Sequence, residues 1–519
     1  MKFSILKIFN RSATIELDNE DRYTSQTPYS LTLNGERIAE DRTENVYSIY
    51  DLEPDTRYAV TLTADGLSHT ETFVTLRESV RLDVTRFGAV GDASTVNTGA
   101  IQAAILCCPL MGTVYIPKGV FMTGPIFLKS DMTLELDEGA VLRGITEREQ
   151  YPILPGMTMT TDESDEYNLG TWEGDPLSCM ASLITGIHVK NVTITGRGVI
   201  DGNAQNGDWW INPRVKRRAW RPRTVFFNGC RKMCIHGVTV QNSPSWTLHG
   251  YFTRELEFVN IRIFNHSDSP NTDGIDLESC SNVEILGVHI SVGDDCIAIK
   301  SGKMYMGRKH KTPSREIVAR NCLMERGHGA LVIGSETSAG VNHIRVEKCI
   351  FQDTDRGLRL KTRRGRGNLS VLDRITIENV YMNGVLTPFV ANMFYFCDID
   401  GKSEYVYSKE KLPVDDYTPQ IGSIECRRVT CENCSVAGMF FYGLPEMPIQ
   451  RIELTDVSVS FAPGAEPGQP AMMDGIADVK CLGLFAANVE TLRLKNVRII
   501  GYEGEKLRLS GIGSVAEEE

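Results

Sequence analysis

The stretch Val283-Glu-Ile-Leu-Gly-Val-His-Ile290 decides the fold. Apolar and polar residues alternate, break once at a glycine and resume, which reads as two short strands joined by a tight corner. The same apolar-x-apolar-x-polar/Gly-apolar-x-apolar pattern occurs at Ile187–Ile194, Met233–Val240, Leu256–Ile263, Ile317–Met324 and Ile344–Phe351. It returns at Ile375–Met382, Val429–Val436, Ile452–Val459 and Leu492–Ile499. Starts are mostly about 23–34 residues apart, with longer gaps where a turn is degenerate or carries an insertion. Leucine-rich repeats share that period, but their Leu-x-x-Leu-x-Leu frame is absent, as is the helical periodicity of ankyrin or TPR units. One such coil cannot bury its apolar row alone; stacked coils make a continuous core. Residues 79–519 are therefore read as a single right-handed parallel β-helix. The segment Thr98-Gly-Ala-Ile-Gln-Ala-Ala-Ile105 caps its open end as a short helix, with Thr98 as N-cap.

Residues 1–78 have a different texture. Tyr29-Ser-Leu-Thr-Leu, Tyr58-Ala-Val-Thr-Leu-Thr and Thr70-Glu-Thr-Phe-Val-Thr alternate strictly between turn residues, as expected for a small β-sandwich. The stretch Leu52-Glu-Pro-Asp-Thr-Arg-Tyr58 resembles the tyrosine-corner segment of fibronectin type III domains, in which the hydroxyl ties back to upstream backbone. No cluster of titratable groups marks a site there, so a spacer or wall is expected. The whole chain is thus all-β.

Composition bounds the function. The 519 residues are 41% hydrophobic and 24% charged, ordinary for a soluble globular protein. No apolar run reaches the eighteen or so residues of a membrane span, so no membrane partner is expected. A net charge of -12 argues against nucleic acid as a partner. The 14 cysteines are dispersed, and only Cys431-Glu-Asn-Cys434 has C-x-x-C spacing, with no second pair to complete a zinc site. Cys322, Cys349 and Cys434 sit where a buried Val or Ile would fit. Reduced thiols, and an N-terminus without an apolar run followed by a cleavage site, point to a cytoplasmic address. No metal or cofactor is expected.

Aligning the coils on a second strand locates the chemistry. Asp273-Gly-Ile-Asp-Leu-Glu278, Asp295-Cys-Ile-Ala-Ile-Lys300, His328-Gly-Ala-Leu-Val-Ile and Arg356-Gly-Leu-Arg-Leu-Lys361 follow one another. Alternation sends Ile275, Leu277, Ile297, Ile299, Leu358 and Leu360 inward. Asp276, Glu278, Lys300, Arg359 and Lys361 share the outer face. Asp273, Asp295 and His328 come at the mouth of the strand, one above another, with Asp294 just before Asp295. Rows are about 4.8 Å apart, so three carboxylates and an imidazole reach one small ligand. Glycosidic cleavage needs such a set: an acid for the leaving oxygen and a carboxylate for water or the sugar. Crowding disfavours ionising all three aspartates. Arg359 and Lys361 suit a sugar carboxylate, so an acidic sugar polymer is the implied partner.

Asn271-Thr-Asp273, Gly293-Asp-Asp295, Gly327-His-Gly329 and Arg359-Leu-Lys361, in this order, resemble the signature of the polygalacturonase family of glycoside hydrolases. The resemblance implies inverting hydrolysis of α-1,4-linked galacturonic acid. It assigns Asp294 as general acid, Asp273 and Asp295 to the water, and His328 to support of the acid. Arg359 and Lys361 then bind a galacturonate carboxylate, and Tyr395 matches a later family tyrosine in approximate distance.

Smaller expectations complete the picture. Glu278 and Lys300 read as a surface ion pair, and Arg363-Arg-Gly-Arg366 as a solvated loop. His249 lies near the patch as a subsite contact or a structural histidine, and Asp276 and Asn271 as further substrate contacts. Trp209 and Trp210 either stack on sugar or pin a loop. Gly144–Asp175, Trp209–Arg223 and Asp398–Ile421 are insertions able to wall off the groove, which favours exo over endo action. Rival readings are a hydrolase of substituted pectin, a Ca²⁺-dependent pectate lyase and a noncatalytic polysaccharide-binding β-helix.

Overall fold

The computed structural model describes residues 1–398 and 400–518. Between Arg81 and Glu518, 34 strands join in one continuous parallel set, a β-helix, as the repeat predicts, and four short strands between Ile153 and Met180 form two antiparallel pairs outside it. Its register is a ladder of apolar residues. Val192 pairs with Met233, Leu256, Val283, Ile317, Ile344, Ile375, Ile424, Ile452 and Leu492 in successive coils. Two of the sequence windows therefore slip by five residues, since Val192 and Ile424 hold the places given to Ile187 and Val429. Each coil carries two similar apolar steps separated by its corner; Val429 belongs to the second, paired with Val380 and Val457.

The helix Thr98–Cys107 closes one end, burying Ile101, Ala104 and Ile105. Its N-cap is Asn97, not Thr98. The Thr98 hydroxyl instead accepts a hydrogen bond from the Gly124 amide at 2.7 Å, tying the helix to the first coils. Cys322, Cys349 and Cys434 are buried in the core, where they pack as small apolar side chains.

The first 74 residues form a three-stranded and a four-stranded antiparallel sheet. Phe3, Ile15, Leu31, Val60, Leu62 and Phe73 fill the space between them. The Glu53 amide donates to the Tyr58 hydroxyl at 2.8 Å, the corner that the sequence foretold. This module rides on a row of left-handed corners of the β-helix. Asn260, Asn321 and Asn379 have φ of 50–52°, a conformation that asparagine tolerates. They bond the Ser48 hydroxyl, Asn45 and the Glu20 carbonyl. At Gly237 and Gly287 a Cβ would strike Tyr50 and Val46, so these corners admit the module only as glycines. His236 is sealed between the rings of Phe9 and Tyr50, and burial lowers its pKa to about 3 and keeps it neutral.

Candidate active site

The site lies on another strand of the coil, where the register runs Leu248, Ile275, Ile297, Leu331, Leu358, Phe389. These side chains stack inside the core. Next to them, on the outer row, come His249, Asp276, Ala298, Val332, Arg359 and Val390. The alternation thus holds, with one correction. Asp295 pairs with Gly329, not His328. A slip of one residue in a strand changes the face. His328 belongs over Asp294, and its amide donates to the Asp294 carbonyl at 3.0 Å.

Asp273, Asp294 and Asp295 offer carboxylate oxygens that all lie within 4.8 Å of one another. Among the described residues this is the one place where three such groups come so close. Cationic side chains stand against two of them, Lys361 and Arg359 beside Asp295 and Lys300 beside Asp273. Lys361 donates to Asp295 at 2.8 Å, and Arg359 approaches it at 3.4 Å. Burial would lift the Asp295 carboxyl, but Lys361 and then Arg359 overcome it and hold it at about 2. Asp273 goes the other way: burial, then the like charge of Asp276, push it well above the usual range, with Lys300 opposing. Asp294 is the accessible member, with 23% of its side chain exposed. It bonds His328 Nδ1 at 3.2 Å, and that bond raises the imidazole pKa.

Tyr395 reaches the same place, its buried ring 5.5 Å from Lys361 Nζ. Asn271 stands at the edge, where its Oδ1 accepts from Arg221 at 2.6 Å. Two proposed substrate contacts are displaced. Asp276 is wholly buried and ion-paired to Lys300 at 2.6 Å, and His249 is 1% exposed behind Trp246. Neither reaches the groove. Lys300 and Glu278 are no surface pair either: both are buried, and Lys300 turns to Asp276 and Asp273.

The reason is a roof that strand periodicity does not encode. The excursion between Gly144 and Ile184 folds back across the outer face. Trp172 from it stacks on Trp220 at 4.8 Å and lies 6.3 Å from Trp246, nearly parallel to both. Gly174 packs on the Glu336 side chain, and its carbonyl accepts from the Lys303 amide. On the other side Met472 covers Arg359, and its carbonyl accepts from Asn392. Trp209 is buried against Tyr151 and the Arg148 guanidinium, and Trp210 donates to the Ser243 carbonyl; both pin a loop. The arginines of 363–366 are buried, not solvated. They tie down the insertion from Asp398 to Ile421, whose residue 399 lies outside the described residues. Lys300, Trp246, Met472 and Glu336 are the residues at the site that sequence reasoning missed. Only Lys300 left a signal there, its place in the aligned strand.

Glu278 makes a prediction in its own right. Burial, then Glu336, lift its carboxyl to about 8, while its nearest polar partner is neutral His249 at 3.3 Å. Between the ordinary glutamate value and about 8 the folded state holds a proton that the unfolded chain lacks, so stability falls as pH rises through that window. Glu278→Gln should leave the unfolding free energy from urea titration at pH 5 nearly unchanged and flatten its decline toward pH 8, by on the order of a few kcal/mol. An equally steep decline in the variant would contradict the assignment.

A set of acids and one imidazole on the outside of a β-helix supplies what glycosidic cleavage needs. The chain belongs to glycosyl hydrolases family 28, whose family model matches residues 113–434. It is 30% identical over 389 residues to a probable polygalacturonase of Vitis vinifera, covering 73% of this chain and 74% of that one. It is 28% identical over 410 residues to an exo-poly-alpha-D-galacturonosidase of Dickeya chrysanthemi, covering 69% and 65%. An endo-polygalacturonase of Pectobacterium carotovorum is 30% identical over 319 residues, covering 59% and 73%. In fold, the chain is similar to the family 28 exopolygalacturonase of Yersinia enterocolitica, with a TM-score of 0.71, 19% identity and coverage of 100% and 99%.

Proposed function

We propose that this hydrolase cleaves α-1,4-galacturonosidic bonds of oligogalacturonides, acting from the non-reducing end. The observation that carries the reading is the division of labour among three aspartates in reach of one atom. Asp294, open to the groove, protonates the glycosidic oxygen. Asp295, held ionised by Lys361 and Arg359, and Asp273, the more basic of the pair, take a water between them. A water bonded at about 2.7 Å to each can bridge oxygens up to about 5.4 Å apart, and theirs lie within 4.8 Å. As the leaving group departs, that water attacks the anomeric carbon and its proton passes to Asp273. His328 is placed to return a proton to Asp294 after each turnover. Arg359, Lys361 and Tyr395 form the cationic wall that a galacturonate carboxylate meets.

The spacing is tighter than the roughly 6.5–9.5 Å of two-carboxylate inverting sites. Inversion follows when the water held by Asp273 and Asp295 attacks the face of the anomeric carbon opposite the bond that Asp294 protonates. Exo action is supported by the roof of Trp172 and by the walls that carry Met472 and residues 400–419, and by the relatives named as exo enzymes. Chromatography of products from defined oligogalacturonides should give monomer or dimer rather than a ladder, with NMR showing the β-anomer first. Reducing ends should rise without the absorbance of an unsaturated product. A ladder would make the enzyme endo-acting; absorbance rising in step would make it a lyase.

A further inference from the structure

Lys300 is the last residue of the strand Asp295–Lys300, one coil beyond Glu278. In the following coil the Gly334 amide donates to the Ile299 carbonyl at 2.9 Å, next to Lys300 in the chain. The nitrogen lies 2.6 Å from Asp276 Oδ1 and 3.5 Å from Asp273 Oδ2. The Trp246 ring covers it at 3.5 Å, and the residue is 4% exposed. An ammonium so enclosed cannot exchange its partners for water.

We propose that Lys300 is a positioning residue of the hydrolytic step, dividing one positive charge between Asp273 and Asp276 so that the water-side carboxylate stays fixed and ionised. The proposal rests on the reading of Asp273 as a water-activating group. It explains why a carboxylate as buried as Asp276 stands beside Asp273 on the same ammonium. Asp276 competes with Asp273 for the same cation and so sets how strongly Asp273 holds a proton.

The surrounding charges leave that role to Lys300. Asp273 also faces Asp294 and Asp295 from the next coil, which push its pKa up. Arg221 is near enough to feel the Asp273 charge but spends its own hydrogen bonds on Asn271 and two carbonyls. Around Lys300 itself stand Glu278 from the preceding strand, Glu336 from the following turn and Glu173 from the roof. Arg223 acts on Asp276 from two coils back, and neutral His249 in the coil between them adds no charge. Burial works against the Lys300 charge, but Asp276 and Asp273 outweigh it and keep the group cationic.

The test is the acid limb of the kcat/KM profile, which reports ionisation of the base in the free enzyme. Lys300→Met should move that limb to higher pH by about one unit or more, the usual effect of removing a nearby opposite charge. Asp276→Asn should move it to lower pH, because the competitor is gone. Lys300→Arg should restore most of the wild-type limb. Shifts of opposite sign are not what a merely structural role produces. An unmoved limb in Lys300→Met, or shifts in the same direction, would overturn the proposal. If Lys300→Met does not fold, the double variant Lys300→Met/Asp276→Asn removes both charges together; its limb should lie above that of Asp276→Asn, and coincidence of the two would overturn the idea equally. Asp273→Asn separates the underlying reading: retained turnover there refutes the base assignment itself, whatever Lys300 does.

Discussion

Asp294→Asn should lower kcat on oligogalacturonides by at least about 10²–10⁴-fold, the range that general acid catalysis contributes. The substitution is nearly isosteric at a side chain with 23% exposure, and the amide oxygen can still accept from His328. Thermal unfolding should therefore be almost unchanged, which separates loss of a proton donor from loss of the fold. Substrate binding should also survive, since Arg359, Lys361 and Tyr395 are untouched. The loss belongs to one bond: without a proton, the departing sugar leaves as an alkoxide. A galacturonide carrying a leaving group of low pKa needs no such proton, so the variant should recover much of its rate on that substrate. Full turnover of the variant on ordinary oligogalacturonides would end the acid assignment. A loss of equal size on both substrates would move Asp294 to another role.

The part of the molecule that local pattern encodes was legible in the sequence. Val283–Ile290 and its copies specify the coil, because an alternating run shows only one face to a core. The in-and-out order of Asp276, Ile297 and Leu358 follows from the same rule. What lies on top of the outward face does not. Glu278 and Lys300 are separated from Trp172 by more than a hundred residues, and nothing in a strand of period two announces that a distant excursion will cover it. For the same reason Arg363–Arg366 read as solvent-facing while in fact they anchor an insertion. Turns blur the register too: His328 and Gly329 sit where the chain enters a strand, and alternation cannot say which of them faces Asp295.

Those anchors fix the insertion to the β-helix. Arg364 is 1% exposed and uses its whole guanidinium fork. Nε and Nη2 donate to the Glu446 carboxylate at 2.6 and 3.0 Å, and Glu446 is as buried as its partner. Nη1 donates to the Tyr405 and Ser408 carbonyls, and Nη2 also to that of Glu410. This side chain thus ties the stretch from Tyr405 to Glu410 to the Glu446 carboxylate. Glu446→Ala strands the guanidinium charge in the interior, a change that typically costs about 3–5 kcal/mol. In a chain of several cooperative parts the loss should appear first where the bonds were. Amide exchange across 400–419 should quicken by on the order of 10²–10³-fold, while the strands around Val283–Ile290 keep their protection. With the wall loosened, longer products should appear beside the monomer or dimer. Arg364→Met/Glu446→Leu removes both charges at similar volume and should recover a large part of the protection. Equal exchange in wild type and Glu446→Ala would mean that the insertion is held by something other than this ion pair.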